Sequence, residues 1–585
     1  MYKTEWDLAQ IYTSENDPKI ESDTKKFVEK YNDFSEKWSK NEKYLEDSDF
    51  LLESLMDYES LLETEITPYY YFHLKSELDL QNPDYTAKKG KYFDISIEAG
   101  NKVEFYLLNL GKIHDNLQTK FLTDEKLQKY WNFLSDIFEN SKYNLTEKEE
   151  IVVNMYSKAS RTYWVNLRKK QLSKINVNGK SFEEAFALLS SPDKKIRDLT
   201  AKKLYKELEP VSEILVDEFN SLLETKFVHR KLRGITRYDE ARHVSDSVDS
   251  EIVDSLIANV SEYYYVTQRF YKLKAKILGL KKLKYYERNL PYTAKKERKL
   301  SFEESVEIVR NSLSKISPEY EDYFVELLKT GKIDVFPKKH KSGGAYCLSL
   351  DKKFRSFILL NYTEMLNDAF TLAHETGHAV HFQKLINKQP AVYAGSSLML
   401  AEVASTIFEG FVNDELSKIL NDEENFALKL ENLTGSMNSV FRQVSFYKME
   451  LEFHKQYEEK KYLSAKELGD IFEKYSKEEL GDSIEYPEGV RNSWTYVSHF
   501  RNPFYVYSYA SGELISIALK KIIKDEKSVD KLNTLLEMGS SKSPKDAFGE
   551  IGIDISSKDF WILGLKEIEK EITELEILGK KLGKI

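Results

Sequence analysis

Apolar side chains along most of this chain recur every three to four positions with Lys and Glu between them, the period of helices lying on a core. "DPKIESDTKKFVEKYNDFSEKWSK" is one such stretch and "DYTAKKGKYFDISIEAGNKVEFYLLNLGKI" another. The pattern predicts successive amphipathic helices from about residue 4 to residue 180, broken at "TPYY", "QNPD" and "INVNGKS". "SSPD", with its proline in the first turn, opens the next helical stretch and sets a lobe boundary. Residues 1–190 then form an N-terminal helical lobe and residues 191–585 the region that holds the chemistry. No repeat of fixed period is present. The period changes between residues 343 and 362, where "GGAYCLSLDKKFRSFILLNY" offers two short β-prone runs, 345–350 and 356–362, joined by a charged connection. This predicts a hairpin that either only builds a mixed lobe or offers a free edge to an extended peptide.

Composition sharpens this picture in three places. A 585-residue chain with only 23 glycines and 12 prolines is expected to be mainly α, and it is too long for one simple core, so two or more lobes sharing a cleft are expected. Hydrophobic residues at 41%, charged residues at 31% and a mean hydropathy of -0.54 describe a soluble globular protein. The net charge of -10 weighs against a nucleic-acid partner. A basic tract at residues 272–299 is interrupted by apolar residues and reads as a solvated helix end and loop. With Cys347 as the only cysteine, an intrachain disulfide and a cysteine-based zinc knot are both excluded. The start "MYKTEWDLAQIYTSEND" lacks the apolar core of a secretory signal, and no run of 18 apolar residues occurs, so a cytoplasmic protein without a membrane partner is expected.

The candidate chemistry lies in "TLAHETGHAVHF", residues 371–382. On a helix His374 and His378 stand one turn and about 40° apart, so both imidazoles can converge on one cation. Leu372, Thr376 and Val380 fall on the opposite side, which predicts a helix resting that side on the protein body. Asn367 and Asp368 supply a candidate N-cap. Glu375 projects to the flank of His378, the place of a general base that takes a proton from water and delivers it to a leaving amine. Gly377 inside a helix costs about 1 kcal/mol relative to alanine, which implies close approach of another backbone. His381 shares the histidine face and reads as a packing or outer-shell residue, because only His374 and His378 bracket a glutamate. Two histidines do not hold a catalytic zinc. A following helix, starting around Ser396 with "SSLMLAEVASTIFEGF", offers Glu402 as the third ligand and Glu409 as a carboxylate behind a ligand histidine.

These residues carry a resemblance. "HETGHAVH" followed by "EVAST" resembles the thimet oligopeptidase family of zinc endopeptidases, in particular its oligoendopeptidase F branch. "WDLAQIY", "LGLKKLKYYE" and "HFRNPFYVYSYASGELI" extend the likeness over almost the full length. The resemblance implies an elongated, two-lobed helical body with a deep substrate channel, one Zn2+ per chain, and short unstructured peptides as partners. It implies His374, His378 and Glu402 as zinc ligands and Glu375 as base. It also implies that His499 and Tyr507 hydrogen-bond the substrate and the developing oxyanion, with Tyr505 and Tyr509 as further contacts. Donors preorganised in this way contribute about 3 to 4 kcal/mol each. Only "FRNP" separates histidine from tyrosines here, where thimet-type members carry a glycine-rich loop, so which tyrosine meets the oxyanion stays open. "GGAY" resembles the family's substrate-binding edge strand, with Gly343, Gly344, Ala345 and Tyr346 as contacts.

The reading that results is a zinc metalloendopeptidase acting on short oligopeptides. Two alternatives stand beside it. A zinc aminopeptidase would need a carboxylate-bearing strand upstream of the metal helix, and "FRSFILLNY" has none. A catalytically inactive helical peptide-binding scaffold would have no use for Glu375. Nothing in the sequence specifies self-association.

Overall fold

Helix accounts for 72% of the structure and strand for 3%, so the mainly α expectation holds. The structure is a computed structural model that describes residues 2–292, 298–395 and 397–585. Among these, no helix is long and apolar enough to cross a membrane. The helices form where the apolar period places them. Lys19–Trp38 buries Ile20, Phe27, Phe34 and Trp38, a side chain every seven residues or fewer on one face. Asn82 caps Pro83–Asn101 by accepting from the N–H groups of Asp84 and Tyr85, as "QNPD" predicts. "TPYY" differs from its expectation: it starts the Thr67–Leu78 helix, because Pro68 occupies the first turn, where no N–H is needed. "SSPD" is displaced by a residue or two. Asp193 caps Lys194–Leu232 and Pro192 lies just outside that helix.

The chain separates into two compact units, each assembled from non-contiguous stretches. This is a different partition from the linear boundary at residue 190. The first unit comprises residues 1–142, 298–419 and 519–552. One of its cores joins Trp6, Tyr12, Phe27, Tyr71 and Phe72 to Leu350, Phe357 and Leu359. A second is dominated by aromatic side chains, among them Trp38, Tyr44, Tyr106 and Tyr130. The expected hairpin lies here. Of the five described strands, β1 (Leu283–Lys284) and β5 (Ile484–Glu485) pair with each other. In the first unit β2 (Ile333–Asp334), β3 (Tyr346–Ser349) and β4 (Ser356–Leu359) form a sheet in the order β2, β4, β3. β3 and β4 are antiparallel with Cys347 opposite Ile358, and β2 adds to β4 in parallel. β3 is therefore an edge strand. The turn between them closes on Asp351, whose carboxylate accepts from the N–H groups of Lys353 and Phe354. Trp6 in the N-terminal "WDLAQIY" ties the sheet together: its indole N–H lies 3.1 Å from the Lys332 carbonyl and 2.8 Å from that of Ile358.

The second unit comprises residues 143–297, 420–518 and 553–585. Its spine is the 39-residue Lys194–Leu232 helix, against which Gln443–Lys460 and Ala465–Leu480 pack. Two arginine pairs are buried in it: Arg501 meets both carboxylate oxygens of Glu218, and Arg197 directs two N–H groups at one oxygen of Glu287. Part of the basic tract, residues 293–297, lies outside the described residues. Elsewhere in that tract Lys272 pairs with Asp482 and Lys284 with Asp198, while Lys274 is buried.

Candidate metal centre

The metal-binding candidates stand on Leu366–Lys388. The helix start is corrected from the sequence reading. Asn367 and Asp368 lie inside the first turn, and the Asp368 carboxylate reaches back to accept from the N–H groups of Thr363 and Met365. Leu372, Thr376 and Val380 are buried, as the period predicts, and His374 and His378 on the other face are half-buried. Gly377 is explained by its neighbour. A Cβ there would stand 2.4 Å from the Cα of Ser405 and 2.7 Å from its nitrogen, so only glycine lets Val403–Ile419 lie this close. Ser396 lies outside the described residues. A short helix, Leu398–Ala401, ends at Glu402, which sits at the break before Val403–Ile419.

That approach brings three ligand atoms together. The Nε2 atoms of His374 and His378 are 3.2 Å apart. The Glu402 Oε2 lies 3.4 Å from the first and 3.6 Å from the second. A tetrahedral zinc with bonds of about 2.0 to 2.2 Å holds its ligand atoms about 3.3 to 3.6 Å apart, so the spacing fits such an ion. The donor chemistry fits as well. Glu409 Oε1 is 2.5 Å from His374 Nδ1, which fixes the proton on that nitrogen and leaves the Nε2 lone pair facing the cluster. Ser405, which the sequence reading did not single out, donates its hydroxyl to Glu402 Oε2 at 3.0 Å. Its signal was available only in three dimensions, because its backbone is also what Gly377 accommodates. Among the described residues, these three side chains are the only such cluster of His, Cys, Asp and Glu. His381 is buried outside it, and burial pushes its imidazole down to about 4.

Electrostatics separates the roles of the acids. Burial pushes the Glu375 carboxyl up to about 7; the charge of His374 opposes this, while Glu402 and Glu409 add to it. The backbone N–H of Cys347 in β3 pulls it back slightly. Burial depresses His374, but Glu409 hydrogen-bonded to it, with Glu375 and Glu402 nearby, turns the net shift upward. His378 is shifted down by burial against the pull of Glu402. A cation among the three ligands would draw Glu375 back toward its ionised, proton-accepting form.

The edge strand lies beside this helix. Gly343 and Gly344 are exposed, and Gly344 has φ +77°, a conformation that glycine alone adopts freely. The Asn361 amide, also missed in the sequence, donates to the carbonyls of Ser342 and Gly344, both at 2.8 Å, and so holds the segment open. Ala345 is partly exposed. Tyr346 offers its backbone rather than its side chain. Its ring packs against the core with Leu348, and its hydroxyl is buried, so strand alternation leaves only its backbone to meet a peptide. Cys347 takes the other face, toward Glu375.

The remaining candidates lie in the second unit. His499 and Tyr505 form a pair, with Nδ1 2.5 Å from the phenol oxygen, and Tyr509 is exposed beside them. Their segment is held by Arg501, which donates to Glu218 and to the carbonyls of Trp494 and Val497. It is held again by Glu450, which accepts from the N–H of Phe504, a residue at φ +68°. Tyr507 is a correction. It is fully buried and its hydroxyl donates to Asp246 at 2.6 Å, so that phenol is already engaged and cannot reach a substrate. His499, Tyr505 and the exposed Tyr509 remain available.

Comparison with known proteins follows the same lines. The sequence profile of Peptidase family M3 matches residues 187–567, and that of Oligopeptidase F matches residues 109–176. The chain is 26% identical over 555 residues to Oligopeptidase PepF of Bacillus subtilis, covering 92% of this chain and 82% of that protein. It is 26% identical to Group B oligopeptidase PepB of Streptococcus agalactiae, covering 88% and 87%. The solved structure of oligoendopeptidase-F from Enterococcus faecium superposes with a TM-score of 0.68 at 20% identity, over 96% of this chain and all of that one. A Chlamydophila abortus structure reaches 0.87 at 22% identity, covering 98% of each chain. At these identities the two structures show a shared fold.

Proposed function

Because the chain belongs to peptidase family M3, whose profile spans more than half of it, we propose that it is a zinc-dependent endopeptidase hydrolysing internal bonds of short, unstructured oligopeptides. The observation that carries this is the convergence of His374, His378 and Glu402 at zinc-ligand spacing with the buried Glu375 carboxyl on the same helix. Bound there, zinc supplies Lewis acidity at neutral pH, toward a peptide carbonyl and toward water.

The residues of the chain do the rest. Glu375 accepts the proton of the attacking water and passes it to the departing amine nitrogen, the two halves of general base and acid catalysis. Glu409 keeps His374 in the tautomer that presents Nε2 to the ion, and Ser405 keeps the Glu402 carboxylate turned toward it. The free edge of β3, with Gly343, Gly344 and Ala345 leading into it, receives an extended peptide by main-chain hydrogen bonds. Within the second unit, His499 and Tyr505 form a hydrogen-bonded imidazole–phenol pair.

The test is a mixed library of short peptides, some blocked at the N-terminus, with a folded protein as control, read by mass spectrometry. Internal cleavage of blocked and free peptides alike is expected, with the folded protein left intact. Chelation should abolish cleavage and zinc should restore it. Sparing of every blocked peptide would make the enzyme an aminopeptidase, binding without cleavage would make it a scaffold, and cleavage that survives exhaustive chelation would end the metal reading.

A further inference from the structure

Phe504, in the second unit, holds a backbone conformation that needs a cause. It sits at φ +68°, the left-handed region that a bulky side chain rarely enters, and it is 3% exposed. The short helical turn His499–Arg501 lies before it and the helix Tyr507–Glu526 after it. An extended chain would carry residues six apart to a separation of about 20 Å. Here the segment turns back, and the Tyr505 hydroxyl oxygen lies 2.5 Å from the His499 Nδ1.

A left-handed conformation at such a residue persists only where the surroundings over-determine it. One helix does so. Tyr447, Glu450 and His454 of Gln443–Lys460 stand at i, i+3 and i+7, on a single face. The rings of Tyr447 and His454 pack on Phe504, with centroids 5.6 and 5.0 Å away. The Glu450 Oε2 accepts from the Phe504 N–H at 2.7 Å. That is the only hydrogen bond of the Glu450 side chain among the described residues. It is 2% exposed, has no ion-pair partner, and its Oε1 is buried without a hydrogen bond. Burial drives its carboxyl well above the ordinary range, so a neutral acid meets the N–H. An apolar side chain of similar volume would spare the fold that unmet oxygen, so stability does not account for Glu450.

We propose that Glu450 is a positioning residue: by holding the Phe504 N–H it keeps the backbone turned so that the Tyr505 hydroxyl stays on the His499 imidazole. It acts through the backbone of Phe504, and the rings of Tyr447 and His454 confine the side chain of that residue. Tyr447 is itself fixed, since its hydroxyl donates to Asp239 at 2.7 Å. That the imidazole–phenol pair serves peptide cleavage rests on the peptidase reading; the geometric role of Glu450 does not.

The test compares two variants of the full-length, metal-loaded protein. Glu450→Gln offers an amide oxygen to the same N–H, and is expected to keep the His499 to Tyr505 contact in its crystal structure and to cleave a blocked peptide at the wild-type rate. Glu450→Leu fills a similar volume with no acceptor. There Phe504 should leave positive φ, the Tyr505 hydroxyl should part from His499, and kcat should fall about 100-fold, while the unfolding midpoint holds or rises. Adding Phe504→Gly to Glu450→Leu removes a buried ring and should lower the midpoint, yet recover contact and rate, because glycine enters the left-handed region freely. A merely structural role predicts instead that stability and rate fall together at each step. A Glu450→Leu protein that keeps the Phe504 conformation and the contact, a double variant no better than the single one, or a Glu450→Gln protein that loses the contact would overturn the proposal. If the wild type cleaves no peptide, the peptidase reading fails, and the crystal structures alone decide the role of Glu450.

Discussion

Glu375→Gln keeps the size and helical position of the side chain but removes its capacity to accept a proton. The variant is expected to retain full metal content and to lose about 10²- to 10⁴-fold or more in kcat, measured on a blocked peptide. A near-normal rate would take the base role from Glu375. Glu402→Ala removes a proposed ligand, and metal content by mass spectrometry should fall well below one per chain. Glu409→Ala leaves all three proposed ligands and frees the His374 ring, for which a loss in metal affinity of about 10- to 100-fold is expected. Equal affinity in that variant would make the 2.5 Å contact incidental. At this scale the sequence was informative where chemistry depends on spacing along one helix: His374, Glu375 and His378 read directly, and Glu402 followed from the next acid on a returning helix. It was uninformative where the partner comes from elsewhere in the fold. Ser405, Asn361 and the Cys347 backbone N–H are ordinary residues until the chain folds, and the burial of Tyr507 against Asp246 is invisible to a motif that spaces three tyrosines alike.

Two contacts between elements hold the centre in place. Gly377 lets two helices approach until a Cβ would meet the Ser405 backbone, and backbone cannot swing aside as a flexible side chain can. Gly377→Ala should therefore destabilise the protein by about 1 to 3 kcal/mol in denaturant unfolding, the reverse of the usual gain from replacing a helical glycine. A stabilised variant would show that the helices can part. Trp6→Phe removes the indole N–H shared between the Lys332 and Ile358 carbonyls, while the Lys332 carbonyl keeps the Ile358 N–H as a donor. A cost of about 0.5 to 1.5 kcal/mol is expected. The sequence predicted these helices and the hairpin well, since amphipathic period and turn residues are local. Helix ends were less legible: the start near residue 366 depends on Asp368 reaching back to Met365, and a proline as at "TPYY" opens a helix as readily as it closes one.

For the whole molecule, the linear division drawn from sequence has no access to the way the two compact units interleave, because each gathers three separate stretches through contacts that leave no periodic trace. What the full length did carry was kinship, since motifs from the first residues to near residue 515 pointed to one family and the profile spans residues 187–567. The claim on which the function rests is a single cation held by His374, His378 and Glu402. Anomalous scattering across the zinc edge from crystals of the zinc-loaded protein tests it most directly. The account predicts one peak, bonded to the Nε2 atoms of both histidines and to the Glu402 carboxylate; a peak bound by other residues, or none in fully loaded protein, would contradict it.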